Sequence, residues 1–98
     1  MIGDGMGLSQ MYAAYTATQD KLVMTKCTNI ALVKTFSDSD YITDSAAAGT
    51  AIATGYKTTN GVIGMLPDKT PVTSILKYAE ENDLATGLVA TSSITHAT

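Results

Sequence analysis

The sequence predicts an α/β fold with a parallel sheet, because strand-like and helix-like patterns alternate along the chain. Residues 8–19 place Leu8, Met11, Tyr12 and Tyr15 at helical spacing, which gives one apolar stripe. Residues 30–36 and 84–90 are near-continuous apolar runs, which is typical of strands that are covered on both faces. Helices between strands of this kind indicate a parallel sheet.

The remaining elements follow in order. Met1 and Ile2 resemble the end of a buried strand, and residues 37–41 a polar loop. A helix of small residues runs from Ser45 to about Thr54 and ends near Gly55. Asn60 and Gly61 mark a turn before a short strand at 62–65. Thr70 is predicted to cap a helix that has Pro71 at its first position and closes at Asn82. A chain that starts within a strand and stops in the loop after another suggests a fragment.

Bulk composition limits the possible functions. The chain has 98 residues, six lysines, no arginine and a net charge of −3. This mild acidity argues against a nucleic-acid-binding protein, which would carry a basic stripe. A single cysteine excludes an internal disulfide, and no stretch approaches the ~20 apolar residues of a membrane span. An anionic substrate would have to be attracted by a metal ion or a helix N-terminus.

Asp4 is the first candidate functional residue. It follows an apolar stub and lies among the glycines at positions 3, 5 and 7. Such glycines allow backbone to approach a ligand closely, and a carboxylate there is a hard metal ligand. The alternative is an aspartate that hydrogen-bonds its own turn.

Ser45 is the second candidate and lies at the N-terminus of the small-residue helix. The first turn of a helix offers unpaired N–H groups and a positive dipole end, which favour a phosphoryl group. Serine is a weak nucleophile without a base or metal, and the chain contains no GxSxG elbow. A nucleophilic Ser45 would therefore rely on a metal ion. The alternative is that Asp44 or Ser45 simply caps the helix.

The polar tail is the third candidate region. Thr95, His96 and Thr98 follow the predicted strand at 84–90. A threonine hydroxyl suits a hard ion such as Mg²⁺, whereas imidazole suits zinc. The alternative is an ordinary polar terminal loop.

Three strings in this order resemble the alkaline phosphatase family. They are IGDGMG at 2–7, TDSAAAGTAIATGYKTTNGVIG at 43–64 and ATGLVATSSITHAT at 85–98. The resemblance covers nearly the whole chain. It implies that residues 1–98 are the N-terminal part of one catalytic domain, a large sandwich with a central, mostly parallel sheet and helices on both faces.

The resemblance also implies roles for individual residues. Ser45 would be the nucleophile that becomes a phosphoserine and contacts zinc, and Asp44 would orient an arginine that grips phosphate. Asp4 would bridge one zinc and the magnesium, and Thr98 would be a magnesium ligand. His96 would lie beside the magnesium site, at a position where family members carry Asp or His and which tunes the metal.

The implied activity is hydrolysis of phosphate monoesters, with two zinc ions and one magnesium ion as cofactors. Ser45 would attack phosphorus, and water would then release phosphate from the phosphoserine. The family is typically exported, to a periplasm or the cell surface, and often dimeric. The resemblance implies no nucleic-acid partner.

The sequence also departs from the family pattern. It lacks the arginine that binds phosphate and the histidine and aspartate ligands of the two zinc ions, since His96 is the only histidine. We therefore expect these 98 residues alone to be inactive or nearly so. The alternatives are a catalytically dead α/β remnant that binds an anion, another metal phosphatase-superfamily hydrolase, or a metal-free serine hydrolase.

Overall fold

A computed structural model describes all residues from 1 to 98, which form two compact units, Met1–Lys34 and Thr35–Thr98. The first unit contains helix α1, Leu8–Ala17, and a 3₁₀ helix, Val23–Lys26. The second contains helices α2, Ser45–Thr54, and α3, Ile75–Glu80. No helix has the length and apolar character that crossing a membrane requires.

Helix α1 begins where the sequence predicts and ends slightly earlier. Gly7 is the N-cap residue, and its N–H donates to Gln10 Oε1 at 3.1 Å. The helix stops before Gln19, which adopts a positive φ of 49°. The predicted apolar stripe is only partly right, because Leu8 and Tyr12 are 82% and 70% exposed. The better covered side chains of α1 are Met11, Ala14 and Tyr15.

Helix α2 begins and ends where the sequence predicts. The Asp44 side chain caps it by accepting the Ala47 N–H, and Gly55 closes it in the left-handed region at φ 80°. Ala46 and Ala47 are buried, and Thr50 is buried one turn later. These small side chains form the centre of the second unit, so helix α2 is its best packed element.

Helix α3 is shorter than predicted and begins later. Its cap is Ser74, whose side chain accepts the Lys77 N–H, rather than Thr70. The Thr70 N–H instead donates to Asp68 Oδ1 at 2.9 Å, and this bond is the main reason that the pKa of Asp68 lies below its usual value. Pro71 forms an isolated antiparallel bridge with Met65. The chain around Pro71 is held in this bridge, so the helix begins only after it.

The predicted parallel sheet is not formed by residues 1–98. Residues 1–2, 30–36, 62–65 and 84–90 contain no strand, and the Met65–Pro71 bridge is the β-type pairing present. Two of these runs contain fully exposed side chains: Leu32 is 101% exposed and Val89 is 102% exposed. A strand requires a neighbour about 4.8 Å away to pair its backbone groups. The apolar runs carry the composition of covered strands, but these 98 residues do not supply the covering elements.

Candidate functional site

Asp4 lies in a reverse turn of the first unit. The Met6 N–H donates to the Gly3 carbonyl at 3.3 Å, and Gly5 adopts a positive φ of 66°. A positive φ at the third position of a turn is the requirement that selects glycine there. The turn holds the exposed Asp4 immediately before helix α1, which agrees with the predicted glycine turn.

Ser45 is the first residue of helix α2 and is half-buried. Because Asp44 supplies the cap, the serine hydroxyl is not the capping group. Asp44 Oδ1 accepts the Ala47 N–H at 2.9 Å, which leaves Ser45 at the positive end of the helix dipole. This is a position from which a serine oxygen can meet a phosphoryl group near first-turn N–H groups.

The turn at Asn60 and Gly61 is hydrogen-bonded to the residue that caps helix α2. The Gly61 N–H donates to Asp44 Oδ2 at 2.7 Å, and the Asp44 N–H donates to Asn60 Oδ1 at 3.2 Å. The Asn60 side chain also donates to the Ile42 carbonyl at 3.1 Å. Gly61 adopts φ 81°, which favours glycine at this position. Both carboxylate oxygens of Asp44 are thus used to fix the segment around Ser45.

Thr50 makes a second connection between helix α2 and the segment that follows the turn. Its side chain is only 4% exposed. The hydroxyl donates to the Val62 carbonyl at 3.2 Å and accepts the Gly64 N–H at 2.9 Å. A buried hydroxyl that serves as donor and acceptor stabilises its surroundings mainly because neither backbone partner is left unsatisfied.

Replacing Thr50 with valine is expected to destabilise the second unit by about 1–3 kcal/mol, because the Val62 carbonyl and the Gly64 N–H lose their shared partner. Chemical denaturation measures this change. Thr16→Val is the matched control: the Thr16 hydroxyl is exposed and bonds only the Tyr12 carbonyl of its own helix, so its effect should stay within about 0.5 kcal/mol. Equal effects of the two substitutions would contradict the bridging role of Thr50.

The tail reaches helix α2 through its last residues. The His96 N–H donates to the Ser93 carbonyl at 2.9 Å, which closes a turn and leaves His96 exposed. Beyond this turn, Ala97 and Thr98 pass over Gly49, whose position for a Cβ lies 3.0 Å from the Ala97 oxygen and 3.6 Å from Thr98 Cα. Gly49 is one turn after Ser45 on the same face of the helix.

The predicted site residues are therefore divided between the two units. Asp44, Ser45, His96 and Thr98 belong to the second unit, where Thr98 passes over Gly49 of helix α2, and Asp4 belongs to the first. No three His, Cys, Asp or Glu side chains of residues 1–98 cluster so that they could hold a metal ion. Carboxylate and hydroxyl oxygens, the donor types that Asp4, Ser45 and Thr98 carry, are of the kind that Mg²⁺ accepts.

Four further residues shape the site, although the sequence did not identify them as site residues: Gly49, Thr50, Asn60 and Gly61. Asn60 and Gly61 were predicted as a turn, but the sequence does not show that this turn bonds to Asp44. Gly49 carries a usable signal, since a glycine inside an alanine-rich helix weakens the helix and therefore suggests a packing reason. Thr50 offers no comparable signal, because threonine occurs often in this segment.

Comparison with known proteins gives one consistent family. The family model described as alkaline phosphatase matches residues 1–98. Alkaline phosphatase 4 of Bacillus subtilis is 45% identical over 107 residues, and the alkaline phosphatase of Escherichia coli K12 is 40% identical over 108 residues. Both alignments cover the whole chain but only 23% of the relative, so the chain spans about a quarter of the length of the curated relatives it matches.

Solved structures agree with the sequence relatives. The alkaline phosphatase from the Antarctic bacterium TAB5 superposes with a TM-score of 0.94 at 46% identity, over 98% of this chain and 28% of that one. Two variants of the TAB5 enzyme, each with one histidine replaced by an acidic residue, superpose equally well and contain Mg in their M3 site. The cold-active enzyme of Shewanella sp. gives a TM-score of 0.64 at 35% identity, over 85% of this chain and 23% of that one.

Proposed function

Because the chain belongs to the alkaline phosphatase family, we propose that its protein hydrolyses phosphate monoesters through a phosphoserine formed on Ser45. The observation that carries the proposal is the position of Ser45 as the first residue of helix α2, directly after the capping Asp44. Ser45 thereby lies where the dipole and the first-turn N–H groups favour a phosphoryl group, and the cap does not use its hydroxyl.

The proposed chemical steps begin with Ser45 in that position. Ser45 Oγ gives up its proton to solvent and attacks phosphorus, so that an Oγ–P bond forms while the bond from phosphorus to the ester oxygen breaks. The leaving oxygen takes up a proton from solvent and departs as the alcohol. Water then attacks the phosphoserine, the Oγ–P bond breaks, and Ser45 recovers its proton as inorganic phosphate leaves. The N-terminus of helix α2 favours the negative charge that the phosphoryl oxygens carry in both steps.

Asp44 acts in this scheme by positioning. Its two carboxylate oxygens accept the Ala47 and Gly61 N–H groups, which ties the segment that contains Ser45 to the turn at Gly61. Carboxylate oxygens have additional lone pairs, so Asp44 could also orient an arginine that binds the phosphate. That arginine would come from outside residues 1–98, which contain none.

Asp4, Ser45 and Thr98 would contribute oxygen ligands to a metal centre of two zinc ions and one magnesium ion. When bound, these ions supply Lewis-acid activation of the serine hydroxyl and stabilise the charge of the leaving oxygen. Asp4 and Ser45 would help to hold zinc, and Asp4 and Thr98 would help to hold magnesium. His96 would lie beside the magnesium site and tune its metal. Two variants of the TAB5 enzyme, in which a histidine is replaced by an acidic residue, hold Mg in their M3 site.

We place the same chain within the family's larger sandwich. In the proposed arrangement residues 1–98 are the N-terminal part of one catalytic domain, and the exposed apolar runs at 30–36 and 84–90 become strands of a mostly parallel sheet. Exposed Leu32 and Val89 support this placement, since their side chains would be covered there. A homodimer exported to the periplasm or the cell surface completes the proposal.

Metal removal tests the proposed function. Full-length protein should hydrolyse p-nitrophenyl phosphate, lose at least about 100-fold in kcat after dialysis against a chelator, and recover with Zn²⁺ plus Mg²⁺. Protein treated identically but dialysed against buffer alone is the control. Activity that survives chelation would contradict the metal mechanism and favour a metal-free hydrolase. Binding of phosphate without any turnover would favour the catalytically dead, anion-binding alternative.

A further inference from the structure

Gly49 is an unexpected residue for its place in helix α2. It follows three alanines and is followed by Thr50 and Ala51. In a helix interior, glycine is less favourable than alanine by about 1 kcal/mol. Gly49 is not among the glycines that adopt a positive φ, so its backbone conformation does not require glycine. A reason outside the helix is needed to explain a residue that weakens it.

The tail supplies that reason. A Cβ at position 49 would lie 3.0 Å from the Ala97 carbonyl oxygen, 3.6 Å from Thr98 Cα and 3.9 Å from the Ala97 carbonyl carbon. All three atoms belong to the main chain, which cannot rotate away as a flexible side chain could. The tail therefore lies against the bare backbone of helix α2, at a distance that a methyl group would not permit without a shift.

We propose that Gly49 is a positioning residue for Thr98, and thereby for the magnesium ion of the metal centre proposed above, on which this inference rests. By leaving one face of helix α2 free of side chain, Gly49 lets Thr98 lie one turn from Ser45. A methyl group at position 49 would displace Ala97 and Thr98 by a few tenths of an ångström. Magnesium is sensitive to such a shift because it demands near-octahedral geometry at 2.0–2.1 Å.

Magnesium binding to the full-length enzyme is the direct test. Zinc-loaded, magnesium-free wild type and Gly49→Ala are titrated with Mg²⁺ in a calorimeter. We expect the variant to bind Mg²⁺ about 10–100-fold more weakly, in line with the loss of other residues that orient metal ligands. Its kcat should fall at low Mg²⁺ and recover at excess Mg²⁺, while KM for p-nitrophenyl phosphate stays close to the wild-type value.

Two controls separate positioning from a general packing effect. Ala53→Ser adds one heavy atom to the same helix face a turn further on, and should leave Mg²⁺ affinity unchanged. In a Thr98→Ala background, Gly49→Ala should cause little further loss of affinity, because the two substitutions act on the same ligand. Circular dichroism should show undiminished helicity in Gly49→Ala, since alanine favours the helix.

Each contrary result has its own meaning. Wild-type affinity and kcat in Gly49→Ala, losses that add in the double variant, or a variant that loses helicity would overturn the positioning role and leave the proposed phosphatase function intact. A wild-type enzyme that hydrolyses phosphate monoesters but binds no Mg²⁺ would overturn the magnesium site and this inference with it. A wild-type enzyme without any hydrolysis would overturn the proposed function itself.

Discussion

Replacing Ser45 with alanine is expected to lower kcat for p-nitrophenyl phosphate by at least about 10³-fold in the full-length enzyme, because removal of a covalent nucleophile removes the whole first step. Stability should fall by no more than about 1 kcal/mol, the typical net value of one hydrogen bond. Asp44, not Ser45, supplies the cap of helix α2, and alanine is a good helix former at the position that follows it. A loss of activity far larger than the loss of stability would identify a catalytic hydroxyl rather than a structural one.

The measurements for this prediction are steady-state kinetics, a thermal melt and detection of the phosphorylated residue. Mass spectrometry after an acid quench should find phosphate on Ser45 in wild type and nowhere in Ser45→Ala. Ser9→Ala is the matched control, since Ser9 is exposed in the first turn of helix α1 and should leave kcat unchanged. Phosphate found on another residue, or kcat reduced less than about 10-fold, would contradict the assignment of Ser45.

The local parts of this structure could be predicted from the sequence. Helix α2 was predictable because its start, its small-residue body and its end are encoded by adjacent residues: Asp44 accepts the Ala47 N–H, and Gly55 adopts the left-handed region. The turn at Asp4 was predictable for the same reason, since Gly5 supplies its positive φ. Such features depend on interactions between residues three or four positions apart, which a pattern contains directly.

The strands that the sequence predicts are not formed by residues 1–98. An apolar run such as residues 30–36 indicates that a segment is suited to a covered strand, but pairing requires another segment at hydrogen-bonding distance. Leu32 and Val89 remain exposed in residues 1–98 for that reason. The start of helix α3 was misplaced because Thr70 has a competing partner: its N–H bonds Asp68, and Pro71 joins the bridge to Met65.

The contacts that shape the site are formed by residues 1–98, but they join residues that are far apart in the sequence. Asp44 and Gly61 are 17 positions apart, and Thr50 and Gly64 are 14 apart. Taken alone, each partner is an ordinary residue for its place: Asp44 caps a helix, Gly61 lies in a turn, and Thr50 lies in a helix. The sequence therefore indicated which residues could carry the chemistry, whereas the structure was needed to find the residues that hold them in place.

Replacing Asp44 with alanine or with serine should separate the effect of the helix cap from the effect of the bond to Gly61. The alanine substitution removes the cap, which is worth about 1 kcal/mol, and the bond from the Gly61 N–H, for which we expect about 1 kcal/mol more because Gly61 is exposed. Asp44→Ser is the matched variant. Serine keeps the cap but is too short to hold both N–H groups, so it should lose only about 1 kcal/mol in chemical denaturation.

Kinetics should distinguish the same two variants. If the bond to Gly61 positions Ser45 for attack, both Asp44→Ala and Asp44→Ser should lower kcat by about 10–100-fold, although serine preserves the helix cap. Catalysis would then depend on what the Asp44 carboxylate does beyond capping: the bond to Gly61 or the orientation of the arginine proposed above. Wild-type kcat in Asp44→Ser would mean that capping alone positions Ser45, and that the turn at Asn60 and Gly61 contributes stability but not catalysis.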